Sequence, residues 1–262
     1  MSDGLSQSYS RLQVPILCEL IGVKYSGSSP FPVALMNNKH YSKLAVQEIG
    51  IDCPKGILIT NKDDIKDISK FLNLPIIIKP NTGGSSDGID KNSVQYDING
   101  FENKSKEILN KGYEVLVEEY IPGYEVTTLI IGNKDDIRIN ETIVYEFGNK
   151  LIHEDGVMDA NLKANNLRKA YYASDIFTND FCNIIKSTSE KIFIHLNACD
   201  IARIDYRITP NHEIKFIEIN SQPSINKESE GGFICEKLNI SFDDLYSEYI
   251  QSFLNRININ HD

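Results

Sequence analysis

A mixed α/β (α+β) fold is predicted for this chain of 262 residues, on three observations. Strand-like and helical segments alternate irregularly, without the strict strand–helix repeat of a doubly wound sheet. Two pairs of strands lie close together in sequence, with too few residues between them for a crossover helix. Apolar residues make up 41% of the chain and charged residues 24%, the balance of a globular protein with a sizeable core.

The elements follow from local pattern. Gln13 to Ile21 reads as a short helix closed by Gly22, and a turn-rich passage runs from Ser26 to Pro32. Asn38 to Glu48 is expected to be helical, with Leu44 and Ile49 on its apolar side and Gly50 ending it. A strand at Gly56–Thr60, a helix at Asp63–Leu72 and a β-branched strand at Pro75–Lys79 come next. The glycine loop Asn81–Gly88 follows, then a helix at Phe101–Asn110. Strands are predicted at Glu114–Tyr120, Glu125–Gly132 and Arg138–Tyr145. Phe147 to Asn166 is polar and aperiodic, a long loop of the kind that forms lids. Ala170 to Ile194 holds one or two helices, and Phe242 to Phe253 a closing one. Between them, Ala202–Ile208 and Glu213–Ile219 pair across Thr209-Pro210-Asn211-His212, a sound turn sequence.

Charge and cysteine content narrow the function. The net charge is −10, from 37 acidic and 27 basic residues, which argues against nucleic acid as a partner. An enzyme of nucleotides tolerates that charge, because Mg²⁺ and a few local lysines neutralise phosphates. No apolar run reaches the length of a bilayer span, so no membrane partner is expected, and the first residues lack a signal-type core. The expected location is cytoplasmic. The 5 cysteines include no C-x-x-C pair and are expected to be reduced, mostly buried thiols.

The chemistry concentrates in four places. In Ala202-Arg-Ile-Asp-Tyr-Arg207, Arg203 and Asp205 share one strand face, and in Phe216-Ile-Glu-Ile-Asn220, Glu218 and Asn220 share another. Pairing these strands gathers two carboxylates, a carboxamide and a guanidinium on one patch, with Ile204, Phe216, Ile217 and Ile219 expected to face away. Hard oxygen donors of this kind suit Mg²⁺, and the arginine suits a phosphate or developing oxyanion. A solvated, salt-bridged hairpin face is the competing reading. Secondly, the strand bearing Lys79 runs into Asn81-Thr-Gly-Gly-Ser-Ser-Asp-Gly88, where glycine backbone and serine hydroxyls offer donors to phosphate. It has neither the Walker A ending nor the G-x-G-x-x-G spacing, and a surface turn competes with this reading. Thirdly, Val115-Leu-Val-Glu-Glu-Tyr-Ile-Pro-Gly-Tyr-Glu125 offers carboxylates and a strand edge to a purine and a ribose, with an ordinary hairpin as the alternative. Fourthly, Lys39 opens a helix, where a lone lysine is usually a solvated charge.

Taken in order, the segments IIIKPNTGGSSDGI, VLVEEYIPGYEVT and RIDYR…FIEINSQPS resemble the ATP-grasp family, and within it the D-alanine–D-alanine ligases, over nearly the whole chain. The resemblance implies two α+β lobes with ATP in the cleft between them: a remnant of an N-terminal substrate domain at 1–36, a small lobe at 37–120 and a large lobe at 121–262. It implies that Lys39 and Lys79 contact the ATP phosphates and that Gly83, Gly84, Ser85 and Ser86 close over them, Ser85 also lying near substrate. Glu118 would lie at the adenine, with the backbone of Glu119, Tyr120 and Ile121 along its edge and Glu125 on the ribose. Asp205, Glu218 and Asn220 would hold Mg²⁺, as a pair of ions and with Mn²⁺ as a substitute. Arg203 would stabilise the acyl phosphate and tetrahedral intermediate, and Ser229 would touch a substrate carboxylate. The implied activity is ATP-dependent ligation of a carboxylate to an amine through an acyl phosphate, joining amino acids or a small peptide. Homodimers are common in such a family.

Three departures from the family pattern keep alternatives open. Only the last stretch of the N-terminal domain is present, the lid offers Lys150 and Lys163 but no Lys-Tyr pair, and Ser224 replaces a glycine in Asn220-Ser-Gln-Pro-Ser224. A non-catalytic or regulatory ATP-binding module, and another ATP-grasp ligase of a specialised pathway, are the competing readings.

Overall fold

The computed structural model describes residues 10–65, 73–83, 89–90, 92–154, 156 and 168–259. Two antiparallel sheets, each with helices against it, form the described part.

The smaller sheet holds β1 (Gly56–Ile59), β2 (Ile76–Pro80), β3 (Val94–Gln95) and β4 (Val115–Glu119), in the order β1-β4-β2-β3. Period-2 alternation sends Ile76, Ile78, Val115 and Val117 to one side, where Phe101 and Ile108 of α4 (Ile98–Asn110) cover them. The same alternation leaves Ile77, Lys79 and Glu118 on the opposite side, facing the cleft between the sheets.

The larger sheet runs β10 (Ile214–Asn220), β9 (Asp200–Ile208), β5 (Gly123–Asn133), β6 (Asp136–Phe147), β8 (Arg168–Tyr172), and β7 (Ile152–His153) also pairs with β5. Val126, Ile130, Val144, Ala202, Ile204 and Tyr206 bury one face against α5 (Ala173–Ile176) and α6 (Asn179–His195). Val46 of α3 (Lys39–Glu48) joins that core. Leu129, Ile139, Ile143 and Tyr145 of the other face pack under α7 (Glu230–Leu238) and α8 (Phe242–Ile259) through Ile234, Cys235 and Leu245. Toward its other end this second face is polar and fronts the cleft.

Several sequence expectations are corrected. The first helix, α1 (Gln13–Ile21), ends at left-handed Gly22 as predicted, but Pro30–Asn37, partly within the expected turn region, forms α2. Its prolines fall in the first turn, where a missing N–H breaks no helical bond. On α3 Leu44 is 50% exposed, and the buried face is Lys39, Ser42, Lys43 and Val46. An apolar-stripe argument fails there because the helix packs its lysines against a carboxylate of the small sheet. Arg168–Tyr172, partly assigned to a helix from sequence, is strand β8, registered on β6 with Tyr171 opposite Val144, and Thr178 caps α6 afterwards. The expected helix at Asp63–Leu72 begins as a 3-10 turn at 62–65 and otherwise lies outside the described residues, as does most of the predicted lid. The two close strands β4 and β5 do not pair with each other; they belong to different sheets.

All five cysteines are free thiols. Among the described residues no helix is long and apolar enough to cross a membrane.

Gly123 starts β5 at φ +154°, and a Cβ there would lie 2.1 Å from the Ile208 carbonyl oxygen. No side chain flexes to relieve a backbone clash. Gly123→Ala is therefore expected to lower folding stability by about 2–3 kcal/mol. Urea denaturation of the variant beside the parent measures it, and a difference within experimental error would contradict the close packing of β5 on β9.

Candidate active site

The cleft is built from the small sheet upward. Asn38 caps α3 by accepting from the Tyr41 amide at 3.0 Å. Asn81, just beyond β2, takes the Lys39 amide on its carbonyl and the His40 amide on its side chain, each at 2.9 Å. That clamp sets α3 against the end of β2 and brings three lysines to one place. Lys43 and Lys79 both pair with the buried carboxylate of Glu118, Lys79 at 2.7 Å. Burial depresses the Lys43 pKa to about 8 despite the attraction of Glu118. Burial raises the Glu118 pKa, but the two ammoniums outweigh it and the net shift is downward. Lys39 reaches the other sheet: its Nζ lies 3.3 Å from Glu218 Oε2 and donates to the Gly83 carbonyl at 3.1 Å.

The large sheet supplies the facing wall. Glu218 stands opposite Asp205 and Asn220 opposite Arg203, as strand pairing requires. A bulge between Phe216 and Glu218 makes this possible. In an unbroken strand Phe216 and Glu218 would share a face; the extra residue sends Phe216 into the core and Glu218 to the cleft. Ile217, expected to face away, consequently lines the cleft. Arg203 grips Asp205 along one edge, Nε to Oδ1 at 3.0 Å and Nη2 to Oδ2 at 2.8 Å, and Thr127 donates to Oδ1 at 2.8 Å. Beyond it, Glu230 Oε1 accepts from the Tyr145 hydroxyl at 2.7 Å and lies 3.8 Å from Arg203 Nη1 and 3.9 Å from Arg168 Nη1. Arg207 pairs with Glu125 at 2.8 Å and lies over the Tyr120 ring. Arg11 donates to the Asn220 side-chain oxygen.

Between these walls lies a half-open cleft, concave and lined by both apolar and charged side chains. Ile77, Ile89 and Ile217 make an apolar slot, Glu119 to Ile121 run along one edge, and Glu125, Asp205, Lys79 and Glu218 ring it. An adjoining pocket holds Lys39, Gly83, Asn220 and Arg11. The residues singled out from sequence in three separate segments thus meet in one crevice. Ser229 lines neither pocket; it is the buried cap of α7, its hydroxyl bonded to Asn226. Gly84, Ser85 and Ser86 lie outside the described residues, as does Lys163, and Lys150 is exposed.

Sequence reading missed Lys43, Arg207, Arg168, Glu230 and Arg11. Two of these were findable. Lys43 is four residues after Lys39 and so on the same helix face, and Arg207 is two after Asp205 on the same strand face. Glu230, Arg168 and Arg11 arrive by tertiary packing from distant segments and carry no local signal.

The donor set fits a hard divalent cation. Among the described residues no cluster of three His, Cys, Asp or Glu is present, and the oxygens on offer are two carboxylates and one carboxamide, with room for phosphate oxygens to complete a shell. Each of these oxygen donors already attracts a cation of the chain: Arg203 on Asp205, Lys39 on Glu218, Arg11 on Asn220. The slot is as suitable for a flat apolar ring, and the lysines for a polyphosphate.

A two-sheet architecture that closes on such a cleft is the ATP-grasp fold. A D-alanine–D-alanine ligase from Bacillus anthracis solved with ATP superposes with a TM-score of 0.77 at 20% identity, covering 100% of this chain and 77% of that one. The VanG D-Ala:D-Ser ligase from Enterococcus faecalis gives the same TM-score at 22% identity, covering 94% and 71%. The chain belongs to the D-alanine–D-alanine ligase family, whose profile, described as "D-ala D-ala ligase C-terminus", matches residues 45–251. A D-alanine–D-alanine ligase of Wolbachia pipientis wMel is 30% identical over 258 residues, 93% of this chain and 73% of that protein. One of Azobacteroides pseudotrichonymphae is 26% identical over 256 residues, 95% and 73%.

Proposed function

We propose that the protein is an ATP-dependent carboxylate–amine ligase of D-alanine–D-alanine ligase type, joining two amino acids or extending a small peptide in the cytoplasm. The observation that carries this reading is the cleft and its adjoining pocket, where Lys79 of the small sheet and Lys39 of α3 face the oxygen donors of the large sheet. Under it, residues 37–120 and 121–262 act as the two lobes, 1–36 contributes the edge of a substrate domain, and a homodimer is the working assembly.

The roles follow from position. Ile77, Ile89 and Ile217 enclose the adenine, the 119–121 segment lies along its edge, and Glu125, held by Arg207, receives the ribose hydroxyls. Lys39 and Lys79 bind the phosphates, and the donors of Gly83, Gly84, Ser85 and Ser86 are assigned to the same group. Glu118 anchors Lys79 as well as bordering the base. Asp205, Glu218 and Asn220 would hold Mg²⁺, as a pair of ions in this reading, which would supply charge neutralisation at the triphosphate. A substrate carboxylate oxygen attacks the γ-phosphorus and the bond to ADP breaks, giving an acyl phosphate. The amine then attacks the acyl carbon; Arg203 holds the developing oxyanion, and the bond to phosphate breaks as the amine's proton passes to the departing phosphate. The chain's contribution is positioning and fixed charge.

ADP release measured with Mg-ATP and pairs of amino acids, D-alanine among them, tests the reading. Turnover that needs both a carboxylate and an amine, with formation of their amide, is expected. Tight ATP binding with no ADP release for any pair would instead favour a regulatory ATP-binding module.

A further inference from the structure

Arg203, its side chain 13% exposed, lies between two carboxylates that hold it unequally. Asp205 takes two hydrogen bonds along one edge, at 3.0 and 2.8 Å. Glu230 faces the remaining nitrogen, Nη1, at 3.8 Å, within ion-pair range but beyond a hydrogen bond. Glu230 is only 4% exposed and sits in the first turn of α7, immediately after the Ser229 cap. Its Oε1 is held at 2.7 Å by the Tyr145 hydroxyl and approached at 3.9 Å by Arg168, whose guanidinium lies over the Tyr145 ring. Nothing in the roles assigned above uses this buried carboxylate.

Asp205 has two claimants. Both of its oxygens are engaged by Arg203, and one also by Thr127. A divalent cation on Asp205 competes with that grip for the same carboxylate charge. The Arg203 guanidinium, mostly shielded from water, would then share its close counter-charge with the cation, which such a site disfavours. Glu230 is the second carboxylate already within reach. Closing 3.8 Å to a charge-assisted hydrogen bond needs a movement of about 1 Å.

We propose that Glu230 is a positioning residue that receives the Arg203 guanidinium when Asp205 turns to a divalent cation, and thereby sets how tightly the site takes that cation. The inference rests on the assignment of Asp205, Glu218 and Asn220 as the cation's ligands. The exchange conserves charge: an Arg203–Asp205 pair becomes an Arg203–Glu230 pair beside a cation on Asp205. Tyr145 holds Glu230 Oε1 by a hydrogen bond at 2.7 Å beside Arg203, and Arg168 approaches the same oxygen from the side.

The test is Mn²⁺ binding by the full chain, read from the electron paramagnetic resonance of the unbound ion, for the parent, Glu230→Gln, Arg203→Gln and the double variant. Glu230→Gln keeps the shape and can keep the Tyr145 contact. It is expected to weaken Mn²⁺ binding roughly tenfold, because Arg203 now has no alternative to Asp205. In the Arg203→Gln background the same change is expected to do nothing further, since no guanidinium is left to hand over. Equal affinity of parent and Glu230→Gln would overturn the proposal and leave the ligand assignment standing. A tenfold loss that persists without Arg203 would also overturn it, because Glu230 would then act independently. A parent that binds no Mn²⁺, with or without ATP, would overturn both the proposal and the assignment. Should Glu230→Gln unfold before titration, Glu230→Asp, which withdraws the charge by one methylene, is expected to give a smaller loss, and no loss would count against the proposal.

Discussion

Glu118→Ala is expected to destabilise the fold by about 3–5 kcal/mol, the range for stripping the partner from a buried ion pair. The carboxylate is 1% exposed and bridges two lysines that are 5% and 2% exposed. Removing it leaves two ammoniums side by side in an interior that cannot solvate them. The pH dependence gives the sign. The Lys43 pKa is about 8 in the folded chain against the ordinary 10.5, so between those values the unfolded chain binds more protons. On that account stability rises with pH across the interval. Without Glu118 the attraction that props up the Lys43 pKa is gone, and the rise begins at lower pH. The deficit of Glu118→Ala relative to the parent should therefore be larger near neutrality than in alkali, and adding Lys43→Met should recover part of it. Denaturant melts at several pH values measure this. A loss under about 1 kcal/mol, or one indifferent to pH, would mean that the three groups do not share a buried site.

Asp205→Asn should reduce turnover by at least about 10²–10³-fold while leaving the chain folded. The amide keeps the size and can still accept from Thr127, but it withdraws one negative charge from the oxygen set. Arg203 remains compensated because Glu230 is 3.8 Å away, so the melting temperature should move far less than for Glu118→Ala. The pairing of large kinetic loss with small stability loss separates a reacting-site residue from a scaffold residue. ADP release and thermal melting on the same preparation report both, and a variant of near-parental turnover would remove Asp205 from the chemistry.

The parts of this site that were legible in the sequence are those governed by short-range geometry. Period-2 alternation placed Arg203 with Asp205, and the turn at Thr209–His212 brought Glu218 and Asn220 opposite them. The same rule misassigned Ile217, because a one-residue bulge cannot be read from Phe-Ile-Glu-Ile-Asn alone. Local pattern identified β4 and β5 as strands and left a hairpin between them open, since nothing local says that consecutive strands join different sheets. The buried lysine face of α3 was hidden for a related reason: hydrophobic patterning assumes an apolar partner, and here the partner is Glu118. Glu230 depends on where α7 lands on the sheet, which is a property of the whole fold.

The passage from β4 to β5 carries a mechanical consequence. Only Tyr120, Ile121 and Pro122 separate the last residue of the small sheet from the first of the large one, and Tyr120 and Ile121 line the cleft. Tyr120 is tied down at both ends, its amide to the Pro75 carbonyl of the small lobe and its hydroxyl to Gly156. A swivel of one sheet against the other bends this short passage together with the stretch from α3 to β1, by which the chain also crosses between the two walls. A flat ring seated against Tyr120 and Ile121 acts as a splint across the hinge, so occupancy of the base slot and the angle between the two walls are one mechanical variable.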